Sequence, residues 1–217
     1  CELDEGDHLV GVAITDGTQE ILMLSNAGKA VRFKETDVRA MGRTARGVRG
    51  IRLGEGQRVI SLIIPEENGA ILTASERGYG KRTLVTEFPT KGRGTQGVIA
   101  MVTSERNGAL VGAVQVFEGD EVMLVSDQGT LVRTRTSEVS LLGRNTQGVT
   151  LIRIADKEKL VGVERICDPD EDELVIDGVV VDGEASEMET GLVDNADDSV
   201  MDDAASDSEG DEEGDAE

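Results

Sequence analysis

The sequence is poor in aromatic residues, since its 217 residues include no Trp, one Tyr and three Phe. It also lacks any apolar run near the roughly 20 residues that a membrane-spanning helix requires, so no membrane span is predicted. The N-terminal residues show no basic segment followed by an apolar stretch, so no signal peptide is predicted. The two cysteines lie 166 positions apart, which excludes a disulfide framework and a cysteine metal cluster and favours a reducing cytoplasm.

Positive charge is absent from the C-terminal part of the chain. Residues 167–217 contain 22 acids and no Lys or Arg, whereas residues 1–166 contain 22 acids and all 22 bases. Low hydrophobicity combined with dense like charge cannot bury enough surface to offset the entropy lost on ordering. A disordered acidic tail is therefore predicted over residues 167–217. It is either a solubilising tail or a polyanion that competes with nucleic acid for a basic surface of the same chain.

Residues suited to catalysis are also scarce. The one histidine, His8, lies in an acidic stretch without a ligand partner, and Tyr79 lies in a turn between two glycines. Cys1 and Cys167 are isolated thiols. The Asp-rich clusters of the tail lack the turn glycine and the spacing of a calcium loop. We therefore predict no catalytic site, no cofactor site and no metal site in this segment.

Glycine is abundant, with 27 residues, and the glycines recur with a period. The first glycine of each set follows a short apolar run, and the three lie 50 and 51 residues apart: Gly28, Gly78 and Gly129. An arginine follows each of them by four residues: Arg32, Arg82 and Arg133. A second glycine follows by 14 residues and opens a Gly-Arg-x-x-x-Gly-Val segment: Gly42, Gly92 and Gly143. A period near 50 residues predicts a repeat architecture.

Each repeat contains four short segments with β-strand character. Two form a hairpin around the first glycine, a third follows the Gly-Val pair, and a fourth ends the repeat. This pattern predicts an all-β fold, a β-pinwheel or propeller-like array of four-stranded blades at residues 15–66, 67–117 and 118–166. Residues 1–14 contain a Leu-Val-Gly-Val segment that matches the last strand of the later repeats. They are predicted to be the remnant closing strand of a preceding blade.

The repeats place positive charge at regular intervals, and residues 25–64 alone contain nine bases against three acids. Duplex DNA carries one phosphate per ~1.7 Å of its axis, so a surface that wraps it needs cations along a path. Glycines beside the loop arginines would let the backbone approach a phosphate closely. Nothing in the pattern indicates base readout, so sequence-neutral binding is expected. The predicted DNA-binding residues are Lys29, Arg32, Lys34, Arg43, Arg46, Arg49, Lys81, Arg82, Lys91, Arg93, Arg133, Arg135 and Arg144.

Two alternatives remain open at this point. In the first, the arginine that follows each hairpin glycine pairs with a nearby acid of its own repeat, namely Asp37, Glu87 or Glu138. In the second, the fold is a protein-interaction propeller whose bases are scattered over both faces. A DNA-wrapping surface instead predicts bases along the rim.

The repeat unit, the Gly-Arg-x-x-x-Gly-Val loops and the acidic tail together resemble the C-terminal domain of the A subunit of bacterial DNA gyrase. The resemblance covers about residues 9–166, and the A subunit of topoisomerase IV is the nearest competitor. The family's wrapping heptapeptide has no intact copy here, since residues 41–47 keep only Arg43, Arg46 and Gly47 of it.

This resemblance implies a six-bladed β-pinwheel of which the last three blades are present, with a basic rim that binds and wraps DNA. It further implies a parent type II topoisomerase, gyrase, that introduces negative supercoils. The implied partners are double-stranded DNA, the rest of the A subunit and the B subunit in an A2B2 assembly. ATP on the B subunit and Mg²⁺ are the implied cofactors of the parent enzyme, and the implied location is the bacterial cytoplasm at the nucleoid.

Overall fold

The computed structural model describes residues 3–166, and the predicted acidic tail at 167–217 lies outside these residues. The described part is all-β, which confirms the predicted fold class. It contains eleven strands and three single-turn 3₁₀ helices. The strands are β1 Glu20–Ser25, β2 Lys29–Lys34, β3 Val59–Ile63, β4 Ala70–Ser75, β5 Tyr79–Leu84, β6 Val98–Ile99, β7 Leu110–Val116, β8 Glu121–Ser126, β9 Leu131–Arg135, β10 Val149–Thr150 and β11 Leu160–Ile166. No helix among residues 3–166 is long and apolar enough to cross a membrane.

The strands form three antiparallel sheets, one for each repeat. Their strand orders are β3-β1-β2-β6, β10-β5-β4-β7 and β11-β8-β9. In the first two sheets the hairpin forms the centre, and in the third its second strand, β9, lies at the edge. A short glycine turn joins the two strands of each hairpin. The closing strand then pairs with the first strand of its own hairpin, as β3 does with β1.

The strand that follows each Gly-Val pair crosses to the sheet of the preceding repeat. Val98 of β6 pairs with Ala30 of β2, and Val149 of β10 pairs with Gly80 of β5. The sequence pattern predicted this strand within its own repeat, and that prediction was wrong. The glycine before the valine explains the crossing, because a Cβ at Gly97 would lie 2.1 Å from the Ala30 carbonyl oxygen. Only a residue without a Cβ allows the two backbones to approach this closely.

The two ends of the described array have fewer paired strands than the sequence predicts. The third sheet has three strands among the described residues. The predicted strand at 48–53 is reduced to a single bridge between Ile51 and Thr95. Residues 9–12 form no strand, although Gly11 lies beside Leu62 of β3.

The hydrophobic core lies between neighbouring sheets. One cluster joins Leu22 and Leu24 of the first sheet to Ile71 and Phe88 of the second repeat. Another joins the second and third sheets: Ala70, Leu72, Ala74, Val116, Val122, Leu124, Val139, Leu160 and Val163. A fully buried Leu or Phe contributes about 1.5–3 kcal/mol. Adjacent blades therefore stabilise each other through shared cores.

Candidate nucleic-acid interface

Three loops carry the Gly-Arg-x-x-x-Gly-Val segments, and we call residues 42–48, 92–98 and 143–149 the first, second and third rim loops. Each follows the second hairpin strand and a 3₁₀ turn, which are Glu35–Asp37, Val85–Glu87 and Thr136–Glu138. A glycine at positive φ, either Gly47, Gly97 or Gly148, then turns the chain out of the loop. The same local sequence thus builds the same loop in every repeat.

Consecutive rim loops form a continuous row. In the second loop, Arg93 donates to the carbonyl oxygens of Asp37 (2.9 Å) and Arg49 (3.2 Å), which flank the first loop. In the third loop, Arg144 donates through NH1 to the carbonyl oxygen of Ile99 (2.9 Å), just after the second loop. Any cations exposed on these loops therefore lie along one path.

Five of the predicted DNA-binding residues have cationic groups without a protein partner. No hydrogen bond or ion pair engages their side chains within residues 3–166, and all but half-buried Lys29 are exposed: Lys29, Lys34, Arg43, Arg49 and Lys91. A sixth, Arg46, pairs with Asp4, but both side chains are more than half exposed. Exposed ion pairs contribute little, with typical values of 0–1 kcal/mol, so a phosphate can compete for Arg46.

The arginine that follows the hairpin glycine connects neighbouring blades. Arg32 is 7% exposed, pairs with Glu20 and Glu67, and donates to the carbonyl oxygens of Val85 and Phe88 (both 3.2 Å). These carbonyls belong to the turn of the next repeat. A guanidinium that is buried and fully engaged in this way offers no free donor to a phosphate, so the structure gives no support to the predicted DNA contact by Arg32.

The second repeat uses the same connection in a reduced form. Arg82 is half-buried and donates through Nε to the carbonyl oxygen of Val139 (2.8 Å), the counterpart of Phe88. Arg133 of the third repeat pairs with Glu121 and is 57% exposed, and Arg135 also lies near that carboxylate (3.7 Å). The alternative pairing with Asp37, Glu87 or Glu138 is therefore also wrong, because the partners belong to other elements.

Lys81, another residue of the predicted contact set, is also buried and bonded within the protein. Its side chain is 0% exposed. The ammonium donates to the carbonyl oxygens of Gly143 and Arg144 (both 2.6 Å) and to Thr146 Oγ1 (3.0 Å). Burial, with a smaller contribution from Arg144, lowers the pKa of Lys81 to about 8, although Glu87 acts in the opposite direction.

Two further exposed arginines, which were not among the predicted DNA-binding residues, belong to the same surface. Arg39 and Arg52 flank the first rim loop and have no side-chain partner among the described residues. Together with the arginines at 43, 46 and 49 they form a run without any acid between residues 39 and 52. The near-regular spacing of three residues was the available signal.

Metal ligands and an activated side chain were sought among the described residues 3–166. Residues 3–166 contain no group of three His, Cys, Asp or Glu side chains that could hold a metal ion. Tyr79 lies under the guanidinium of Arg106, 4.9 Å from ring centroid to Cζ. Hydrogen bonds with Arg106 and then Thr150 lower the pKa of Tyr79. No neighbouring acid–base pair accompanies it in the described part of the chain.

Comparison with known proteins decides the family. The model of the DNA gyrase C-terminal domain, beta-propeller, matches residues 19–66, 70–116 and 120–167, which together are more than half of the chain. The chain belongs to this family. The DNA gyrase A subunit of Pseudomonas aeruginosa is 66% identical over 168 residues, which cover 77% of this chain and 18% of that protein. The Escherichia coli DNA gyrase A subunit is 57% identical over 185 residues, which cover 84% of this chain and 21% of that protein.

Solved structures of the family share the fold. The structure of the DNA gyrase A C-terminal domain is 32% identical, with a TM-score of 0.65, and the match covers 69% of this chain and 51% of that one. The C-terminal domain of DNA topoisomerase IV matches in fold with a TM-score of 0.71 at 24% identity, covering 76% of this chain and 52% of that one. The chain therefore spans about half of these domains and about a fifth of the gyrase A subunits. The gyrase resemblance stated from the sequence is confirmed.

Proposed function

We propose that this segment binds duplex DNA along its three rim loops and bends it around the array of blades. The observation that carries the proposal is the set of exposed cations without protein partners in and beside the first two rim loops, namely Arg43, Arg49 and Lys91, on consecutive loops that are bonded to one another. A duplex that follows this row exchanges its condensed counterions for protein cations, which is the main source of sequence-independent affinity. The rim loops also present backbone N–H groups next to glycine, which can approach phosphate oxygens.

The proposal extends to the complete enzyme through the family. The segment would serve as a DNA-wrapping element of a type II DNA topoisomerase, directing negative supercoiling by gyrase. Its partners would be double-stranded DNA, the remainder of the A subunit and the B subunit in an A2B2 assembly. ATP on the B subunit and Mg²⁺ would be cofactors of that enzyme, in the bacterial cytoplasm at the nucleoid, and neither group is assigned to residues of this segment.

Binding and bending are tested separately. Fluorescence anisotropy with two unrelated duplexes of equal length should give similar dissociation constants that rise steeply with salt. Ligation of nicked circular DNA in the presence of the 217-residue chain should shift the linking-number distribution, because bent DNA is trapped with altered winding. Strong preference for one duplex would contradict the sequence-neutral interface. Binding without a linking-number shift would leave DNA binding intact and contradict the bending.

A further inference from the structure

A buried lysine holds the third rim loop from the neighbouring blade. Lys81 occupies the third position after the hairpin glycine, where the other two repeats have Val31 and Val132. The repeat pattern thus predicts an apolar residue at this position. The chain instead places a primary amine there at 0% exposure. Burial of a charged group is costly, so a specific compensating contact is required.

The compensating contacts all come from one loop. The ammonium has three N–H donors, and the structure supplies three acceptors, two carbonyl oxygens and one hydroxyl, at 2.6, 2.6 and 3.0 Å. All three belong to residues 143–146 of the third rim loop. Thr146 Oγ1 in turn donates to the Gly143 carbonyl oxygen (3.0 Å), so the loop closes around the ammonium.

The second rim loop is held in a different way. Its floor is the apolar Val31, and its own Arg93 reaches back to the carbonyl oxygens of Asp37 and Arg49. In the third loop only NH1 of Arg144 is used in this way, and its Nε is buried without a partner among the described residues. The loop that has the weaker arginine tether is therefore the one that has the lysine beneath it.

We propose that Lys81 is a positioning residue that fixes the third rim loop and thereby the direction in which Arg144 is presented to DNA. The link to DNA rests on the function proposed above, whereas the ordering of the loop does not. The charged groups that face the ammonium are Glu87 and Arg144. Their charges are opposite and act on the ammonium in opposite directions, so the attachment of the loop rests on the three hydrogen bonds. Lys81 acts through the loop and touches no phosphate itself.

The test compares Lys81→Met with Lys91→Met, an exposed lysine without a side-chain partner, in the 217-residue chain. Methionine fills the apolar site but donates no hydrogen bond. Without DNA, hydrogen exchange of amides 143–148 should become at least about tenfold faster in Lys81→Met and stay unchanged in Lys91→Met, because only Lys81 bonds the loop. The urea midpoint of Lys81→Met should change little or fall, because removal of a buried charge offsets only part of the cost of leaving the loop carbonyl oxygens without their donor.

Amide exchange that accelerates only in the third rim loop distinguishes loop positioning from a general effect on stability. Unchanged loop exchange in Lys81→Met would overturn the proposal, and so would an equal acceleration of exchange in the second rim loop. Thr146→Val removes one acceptor and should accelerate the same amides by a smaller factor. This second variant tests the proposal with Lys81 itself unchanged.

A double-mutant cycle tests the connection to DNA. Arg144→Ala and Lys81→Met should each weaken DNA binding severalfold, and the double variant should be no weaker than Arg144→Ala alone, because coupled residues are not additive. Additive losses would overturn the action through Arg144. If Arg144→Ala leaves DNA binding unchanged, the third loop is not part of the DNA interface. The loop exchange would then still decide the role of Lys81.

Discussion

The first and third rim loops have the same sequence pattern but opposite physical properties. Residues 39–52, which contain the first loop, carry five arginines and no acid, and all five are exposed. Residues 140–150, which contain the third loop, include one basic residue, Arg144, and its side chain is half-buried. The third loop is bonded to the second blade by Lys81 and to Ile99 by Arg144.

The whole blades differ in the same direction. Residues 15–66 contain nine bases against six acids, whereas residues 118–166 contain seven bases against eight acids. Exposed cations without partners are free to bind phosphate, whereas cations bonded to backbone carbonyls hold blades together. The repeat thus separates two roles of arginine and lysine: exposed cations in and beside the first rim loop supply affinity, whereas cations bonded to the next repeat, such as Arg32 and Lys81, join the blades. Each prediction below tests this separation.

The largest expected effect is the loss of a connection between blades. Arg32→Met should lower the free energy of unfolding by about 3–5 kcal/mol, because it leaves half-buried Glu20 without its cation and two buried carbonyls without their donor. Arg133→Met, at the equivalent exposed position, should lower it by less than about 1 kcal/mol. Urea denaturation measures both values. Equal losses would show that Arg32 is not a connector.

The second comparison is between two hairpin glycines, Gly28, which contacts the next repeat, and Gly129, which has open space beside it. Gly28 and Gly129 both have positive φ, so alanine at either should cost about 1–2 kcal/mol from backbone strain. A Cβ at Gly28 would also lie 2.1 Å from the Met101 carbonyl oxygen, whereas a Cβ at Gly129 meets nothing within 4 Å. Thermal unfolding should therefore show about 1–3 kcal/mol of additional loss in Gly28→Ala. Similar losses in both variants would contradict the crossing-strand geometry.

A third contrast uses pH. The pKa of Lys81 is lowered from 10.5 to about 8 in the folded chain, so its charged form opposes folding. As pH rises above about 8, the folded state releases this proton before the unfolded state does, and stability rises. Relative to Lys81→Met, the free energy of unfolding should increase by on the order of 2 kcal/mol between pH 7.5 and 10. A flat or falling difference would show that the ammonium is not desolvated.

The smallest expected effect concerns a strained turn in the third repeat. Lys157 has φ 97°, the single positive φ of a non-glycine residue among residues 3–166. The first repeat has Gly56 in its corresponding turn, also at positive φ. Lys157→Gly should raise the free energy of unfolding by about 1 kcal/mol, because glycine accepts this conformation without a Cβ clash. Chemical denaturation with Lys159→Gly as the control should show the gain only at position 157.

Much of the fold could be predicted from the sequence because the period is carried by glycines with a steric role. Gly28, Gly78 and Gly129 mark the hairpins, and the strands on both sides follow the apolar runs that precede and follow them. The crossing of β6 and β10 into the preceding sheet could not be predicted. Periodicity predicts a strand after Gly97, but it does not predict whether this strand pairs with the hairpin of its own repeat or with that of the preceding one.

The site residues could be predicted less well from the sequence than the fold. A recurring arginine can mean a repeated contact with DNA or a repeated contact between blades, and the spacing of Arg32 and Arg82 is the same in both cases. Their partners are carbonyl oxygens of the next repeat, which leave no trace in side-chain identity. The sequence indication for Lys81 is a single departure from the pattern, a lysine at a position where the other repeats have valine. That departure from the apolar pattern identifies the residue now assigned to loop positioning.

The salt dependence of DNA binding tests the central claim most directly. Two matched triple variants of the 217-residue chain are compared by anisotropy between low and physiological salt: Arg43, Arg46 and Arg49 to Ala, and Arg133, Arg135 and Arg144 to Ala. Each lost phosphate contact should make the slope of log K against log salt shallower by about 0.9. The account predicts a decrease of roughly 2–3 for the first variant and about 1 for the second. Equal decreases, or a larger one for the third-blade variant, would contradict the separation of affinity from assembly.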